Sequence, residues 1–226
     1  VEADQSWITI DGAALASAAY PVTVDPEFGT DDLRISDVAG DGAASRDGTW
    51  AAAAFSETSD VYLVVWSADD TDTSGVVDDE FEIFGQLVTA DGAESGSDFR
   101  ISTQGGTGTP TIDAVQPAVA WNSLTDEFLV VWSGDEIAGD DEIYGQRVDA
   151  AGALSGSNFM VSGHTGGTDY DATEPAVVYN ATNNQFLVVW ESDDPSTGNN
   201  LDEIWGQRLN AGGSAVGSMI QVSDVT

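Results

Sequence analysis

The sequence predicts an all-β chain, a β-propeller-like array of four-stranded antiparallel blades, three complete and a partial one at the N-terminus. Three observations predict it. Leu63-Val64-Val65-Trp66 recurs as Leu129-Val130-Val131-Trp132 and Leu187-Val188-Val189-Trp190. Each copy is followed by a Glu-Ile-aromatic-Gly-Gln block, at 82–86, 142–146 and 203–207, and each unit then closes on Ile101-Ser102, Val161-Ser162 or Val222-Ser223. Self-similarity of this kind marks a repeat architecture, and four short strands per repeat is the plan of a propeller blade.

Taken in order, residues 1–36 form an N-terminal β segment and partial blade. Trp7–Ile10 and Tyr20–Val24 are its candidate strands, and Leu33–Ser36 matches only the last strand of a repeat. Repeat 1 covers 37–102, repeat 2 covers 103–162 and repeat 3 covers 163–226. Within a repeat, strand A is Ala51–Phe55, Pro117–Trp121 or Pro175–Tyr179; strand B carries Leu-Val-Val-Trp, strand C the Gly-Gln block, and strand D ends at the Ser. The step from strand A to strand B (Phe55 to Tyr62, Trp121 to Phe128, Tyr179 to Phe186) is always 7 residues, and that from Gly85, Gly145 or Gly206 to the closing Ser is always 17. From the Trp to the Gly the steps are 19, 13 and 16, so length varies in the B–C loop. Strand B is apolar on both faces, since Tyr62, Val64 and Trp66 alternate with Leu63 and Val65, and blades stacked face to face supply the cover it needs.

Three blades are too few for a ring of four to eight. A partial fourth blade from residues 1–36, a longer parent chain, or exchange of the N-terminal segment with a neighbouring copy by strand addition would each complete it.

Charge narrows the partners. With 40 acidic residues against 5 Arg and no Lys, the formal net charge is -35, which repels phosphate backbones and excludes nucleic acid. No apolar run is long enough to span a bilayer, so membrane insertion is excluded too, and the absence of Cys removes disulfides and thiolate metal sites. In an antiparallel blade the B–C and D–A connections share one end, and there they carry 21 Asp and Glu against 8 at the other end. Calcium, with six to eight oxygen ligands, is the natural neutraliser of such a rim. The candidate ligands are Asp69, Asp70, Asp78, Asp79, Asp135, Asp140, Asp141, Asp193, Asp194 and Asp202. Asn180-Ala181-Thr182 is an N-glycosylation sequon on a hairpin.

No enzyme is expected. His164, the sole His, lies in a Gly/Thr loop, and the acidic residues Glu82, Glu142 and Glu203 recur in every repeat, as fold residues do, whereas a catalytic residue is needed once. Gln86, Gln146 and Gln207 read as hydrogen-bonding fold residues, Arg147 and Arg208 as partners of the acidic loops, and Trp66, Trp132 and Trp190 as core.

The run of Val-Val-Trp, an Asp-rich loop, Glu-Ile-aromatic-Gly-Gln-Arg, a Gly-rich turn and Val-Ser over residues 31–226 resembles repeats of large secreted bacterial and archaeal proteins taken to be β-propellers. That resemblance implies an extracellular or cell-surface location and adhesion or surface attachment. Two functions therefore stand: a structural, adhesive propeller that binds calcium on its acidic rim and assembles with copies of itself into filaments, or a lectin-like module that binds glycans on the same rim, with a glycan-active enzyme ranked behind it.

Overall fold

Each repeat folds into one four-stranded antiparallel sheet with its strands in chain order, as the fixed spacings predict. The computed structural model describes residues 35–36, 48–69, 76–77, 79–104, 112–135, 141–163, 171–193 and 202–223. The chain divides into two units, Val1–Leu33 and Arg34–Thr226, and every described residue belongs to the second. Blade 1 consists of β1 (Gly48–Ser56), β2 (Val61–Ala68), β3 (Glu82–Thr89) and β4 (Glu94–Arg100). Blade 2 consists of β5 (Ala114–Asn122), β6 (Glu127–Asp135), β7 (Asp141–Asp149) and β8 (Leu154–Met160). Blade 3 consists of β9 (Ala172–Asn180), β10 (Gln185–Asp193), β11 (Asp202–Asn210) and a short β12 (Ile220–Gln221). The fold is thus an all-β, propeller-like array of blades. The predicted strands Trp7–Ile10 and Tyr20–Val24 lie outside the described residues, as does the partial blade apart from Ile35 and Ser36.

The constant steps come from constant turns. Each A–B hairpin ends on a left-handed residue, Asp60 (φ 58°), Asp126 (φ 56°) or Asn184 (φ 50°), and Asp and Asn tolerate that conformation better than other side chains. Each C–D turn places a glycine in the same region, at Gly92, Gly152 and Gly213.

The core lies between blades. In β6, Phe128, Val130 and Trp132 join Leu63, Val65 and Ile83 of blade 1 in one cluster, while Leu129 and Val131 join Phe186, Val188 and Trp190 of blade 3 in another. The two-faced apolar strand is therefore covered on both sides, each fully buried large side chain contributing about 1.5–3 kcal/mol. Trp66, Trp132 and Trp190 are equivalent and at most 4 % exposed, as the repeat predicts.

A polar pin fastens the outer strands. Ser102 Oγ accepts from Ile83 N at 2.7 Å and donates to Glu82 Oε2. Ser162 makes the same pair with Ile143 and Glu142, and Ser223 with Ile204 and Glu203. Arg100 and the Gln104 amide also bond to Glu82. Burial pushes the Glu82 carboxyl up, against the opposing pull of Ser102 and Arg100. Gln86, Gln146 and Gln207 donate to strand backbone, to Leu87 O at 2.8 Å, Arg147 O at 2.9 Å and Arg208 O at 2.8 Å. Among the described residues Arg147 pairs at 3.1 Å with Glu127, near its cross-strand neighbour Leu129, and not with an acidic rim loop.

Candidate functional site

The three innermost strands share a defect. The pairing of β1 with β2 slips between Thr49 and Ala52, that of β5 with β6 slips between Val115 and Ala118, and that of β9 with β10 slips opposite Trp190. At the bulge the backbone turns left-handed, at Trp50 (φ 51°), Gln116 (φ 55°) and Glu174 (φ 53°). Such a conformation costs a non-glycine residue on the order of 1–3 kcal/mol, and bulges re-aim side chains beside functional sites. Proline follows at 117 and 175, and its ring crowds the preceding residue out of the right-handed helical region, which lessens the competition from that alternative.

The re-aimed residues converge. Because β1 packs on β5 and β5 on β9, the three bulges line one open depression of about 290 Å³, walled by Trp50, Ala51, Gln116, Pro117, Glu174 and Pro175. Gln116 Oε1 accepts from Glu174 N at 3.0 Å, which ties blade 2 to blade 3 across its floor. Trp50 is 52 % exposed, in contrast to the buried Trp of every strand B. Glu174 is exposed as well. An indole face, an amide, a carboxylate and two prolines make a surface chemically able to stack against an apolar ring face and to bond polar substituents around it. The depression opens at the end of the blades that carries the B–C and D–A connections, the acidic end.

Several of the predicted rim ligands make hydrogen bonds within the protein. Asp69 is buried and accepts from Asp79 N at 3.0 Å, while Asp79 itself is exposed. Asp135 is buried and accepts from Asp113 N at 2.9 Å. Asp141 N donates to Asp171 Oδ1 at 3.2 Å, Asp193 closes β10, and Asp202 is exposed at the start of β11. Asp70, Asp78, Asp140 and Asp194 lie outside the described residues, as does His164. Among the described residues no three carboxylates are grouped so as to hold one ion. Asp113, which the sequence reading passed over, sits at the seam of blades 1 and 2 and accepts from Phe81 N at 3.0 Å. Burial raises its pKa, and the nearby Asp135, Glu80 and Asp69 add to the rise. Asp171 repeats this latch at the next seam. Asn180 is exposed at the end of β9, its Oδ1 accepting from Thr182 N at 3.0 Å.

No protein-family model matches the chain, and no curated protein matches it. Solved structures do. A Hadza microbial sialidase, Hz136, aligns with a TM-score of 0.55 at 9 % identity over 74 % of this chain and 36 % of its own. An alpha-L-arabinofuranosidase from Lactobacillus brevis aligns at 0.49, with 12 % identity over 75 % of this chain and 55 % of its own. A thermostable family-43 glycoside hydrolase aligns at 0.48, with 11 % identity over 80 % and 60 %. This chain spans between about a third and six-tenths of the length of these three structures.

The likeness is one of fold, and the sialidase, with the highest TM-score of the three, is an enzyme. That overturns the expectation that the chain is no enzyme. Positions 50, 116 and 174 show where the reasoning failed: one backbone site occurs in all three blades but carries Trp, Gln and Glu, so recurrence of the fold does not preclude residues that stand once. The signal was legible in hindsight as Thr49-Trp50-Ala51, Val115-Gln116-Pro117 and Thr173-Glu174-Pro175 at equal distances before strand B.

Proposed function

We propose that this chain is a carbohydrate-recognising propeller whose ligand seats in the axial depression, a sugar ring stacking on Trp50 with its hydroxyls bonded by Gln116 and Glu174. One observation carries the reading: the same strained bulge occurs in three blades, and it delivers three chemically different side chains to one place, including an exposed tryptophan. A purely structural bulge has no need of that. The sialidase among the structural neighbours supports the glycan reading over the adhesive one, in that the fold accommodates glycan chemistry.

The test is a glycan array followed by titration of the intrinsic tryptophan fluorescence. Trp50→Gly removes the ring and relaxes the left-handed backbone, so the fold is not at stake. It is expected to weaken binding roughly two- to ten-fold or more, the worth of an aromatic stacking contact. Glu174→Gln is expected to weaken it as well while keeping the shape. Cleavage is read in parallel by release of reducing ends. Glu174 is the carboxylate among the described lining residues, and hydrolysis by the usual paired-carboxylate route requires a second. Absence of any glycan ligand, or binding that Trp50→Gly leaves unchanged, would sink the proposal.

A further inference from the structure

The repeat supplies its own standard for what a blade face should look like when covered, and the outward face of blade 3 departs from it. Val178, Leu187, Ile220 and Val222 are 58 %, 37 %, 44 % and 61 % exposed. At the equivalent positions of blade 2, Leu129 is fully buried, Ala120 and Val161 are 9 % and 7 % exposed, and Phe159 is partly buried in the cluster shared with blade 3. On the outward face of blade 1, Tyr62 is 39 % exposed where its counterparts Phe128 and Phe186 are 0 % and 2 %. Apolar side chains exposed together on one face mark interaction sites.

The two faces are complementary by the rule that joins the blades internally. At each internal seam an outer-strand side chain enters a hole above a left-handed glycine of the next blade. Phe99 lies 3.2 Å from where Gly152 would carry a Cβ, and Phe159 lies 2.6 Å from the same point on Gly213. Gly92 of blade 1 has the same backbone, φ +87°, and among the described residues nothing lies within 4 Å of that point. Ile220 is the knob of blade 3 at the position of Phe99 and Phe159. Hydrogen bonds repeat the pattern: Ser56 Oγ donates to Asp126 Oδ1 at 2.5 Å, and Asn122 Nδ2 to Asn184 Oδ1 at 3.2 Å. The series has a donor, Asn180, at one end and an acceptor, Asp60, at the other.

We propose that the outward face of blade 3 seats the outward face of blade 1 of a second copy, head to tail, so that two copies complete one six-bladed ring. Ile220 enters the hole above Gly92 of the other copy, and Asn180 donates to its Asp60. Ile35 packs with Trp66 and Phe84 of blade 1, as Ile101 does with Trp132 and Tyr144 at the first seam. Val222 is blade 3's residue for that place, so seating the second copy exchanges Ile35 for Val222. Six blades fall within the range in which propellers close, and a head-to-tail interface forms a closed assembly only when its rotation divides the circle. The inference does not rest on the glycan reading, since it is argued from the seams alone, although a closed ring brings the innermost strands of both copies to one axis.

Sedimentation and light scattering of the intact chain test it. The expected mass at high protein concentration is twice the 23.5 kDa of one chain. At a net charge of -35 the dimer should strengthen from roughly 0.01 M to 1 M salt, as the screening length falls from about 30 to 3 Å. Leu187→Asp and Tyr62→Asp each spoil one face, and each alone should lower dimer affinity more than ten-fold while circular dichroism stays that of the parent. Mixed in equal amounts, the two variants should recover a two-chain species through the one seam left intact, which only a head-to-tail contact allows. A chain that is monomeric at every concentration and salt, variants that dimerise like the parent, a mixture that does not recover, or a polymer longer than two would overturn the inference.

Discussion

Replacing the pin serine by alanine in each blade in turn separates what the repeat dictates from what burial adds. Ser102→Ala removes the acceptor of Ile83 N–H and a donor to Glu82, in a place where Ser102 and Glu82 are both 0 % exposed. A buried polar group left without its partner costs about 1–3 kcal/mol. Two groups lose a partner here, but Glu82 keeps Arg100 and the Gln104 amide, so the total is about 2–4 kcal/mol. Ser162 is 2 % exposed and makes the same pair, which predicts a cost of similar size. Ser223 is half-buried beside the two-residue β12, where water can replace the lost hydroxyl, and its cost falls to about 1 kcal/mol or less.

Thermal unfolding followed by tryptophan fluorescence reads the difference. For a domain of this length, about 2–4 °C is lost per kcal/mol, so Ser102→Ala and Ser162→Ala should each lower the midpoint by roughly 4–16 °C and Ser223→Ala by only a few degrees. The pH dependence gives an independent check. Because the folded pKa of Glu82 lies above its ordinary value, its stabilising contribution is full below the unfolded pKa and is lost as pH rises through the folded one. Without the Ser102 hydroxyl the folded value rises further, and the penalty of the variant should grow as pH rises through that window. Equal losses in all three blades would refute the role given to burial, and a loss under about 1 kcal/mol at Ser102 would refute the pin itself.

Two other perturbations follow from the seams. Asp126 accepts from Ser56 Oγ at 2.5 Å and Ser59 Oγ at 2.6 Å in blade 1 and from Trp121 Nε1 at 2.9 Å; burial tends to raise its pKa, but these bonds outweigh it and hold the carboxyl below its usual range. Asp126→Ala should therefore cost about 1–3 kcal/mol near neutrality, present above the unfolded pKa and lost as pH falls through the folded value, as a urea titration repeated at several pH values would reveal. Measured at high dilution, so that the unfolding is that of a single chain, Gly213→Ala and Gly92→Ala meet the same left-handed backbone, costing about 1 kcal/mol each, yet only the first drives a Cβ to 2.6 Å from Phe159. Its midpoint should fall further by an amount typical of overpacking, about 1–3 kcal/mol more, and equal effects would refute knob-and-hole packing at that seam.

The blade was legible in the sequence because its causes are periodic. Tyr62-Leu63-Val64-Val65-Trp66 has an alternation with both faces apolar, and only a strand sandwiched between two sheets satisfies it. The Glu82–Ser102 pin was half legible: both residues recur, but their meeting needs the register of β3 with the chain beyond β4, which no spacing displays. The partners of the rim carboxylates were not legible for a related reason. Loop carboxylates can be counted along the chain, but that Asp69, Asp113 and Asp135 each accept from a backbone amide near the first seam depends on how the blades meet.

The axial site was hidden by the same repetition that exposed the fold. A search for self-similarity rewards positions where residues agree, and it discounts positions 50, 116 and 174, where Trp, Gln and Glu share a backbone. In a repeat array those are the informative places. Agreement among copies reports what every blade needs in order to pack, and it is enforced by neighbours on both sides. A position that keeps a strained left-handed bulge in all copies while its side chain changes is held to its geometry by the fold and released in its chemistry. Such a position contributes one distinct group per blade to a common axis, which is how an array of near-identical units acquires a site with an asymmetric ligand-facing surface. On the reading proposed above, that division of labour assigns recognition to Trp50, Gln116 and Glu174 and leaves the thrice-repeated Glu, Gln and Trp residues to the blade.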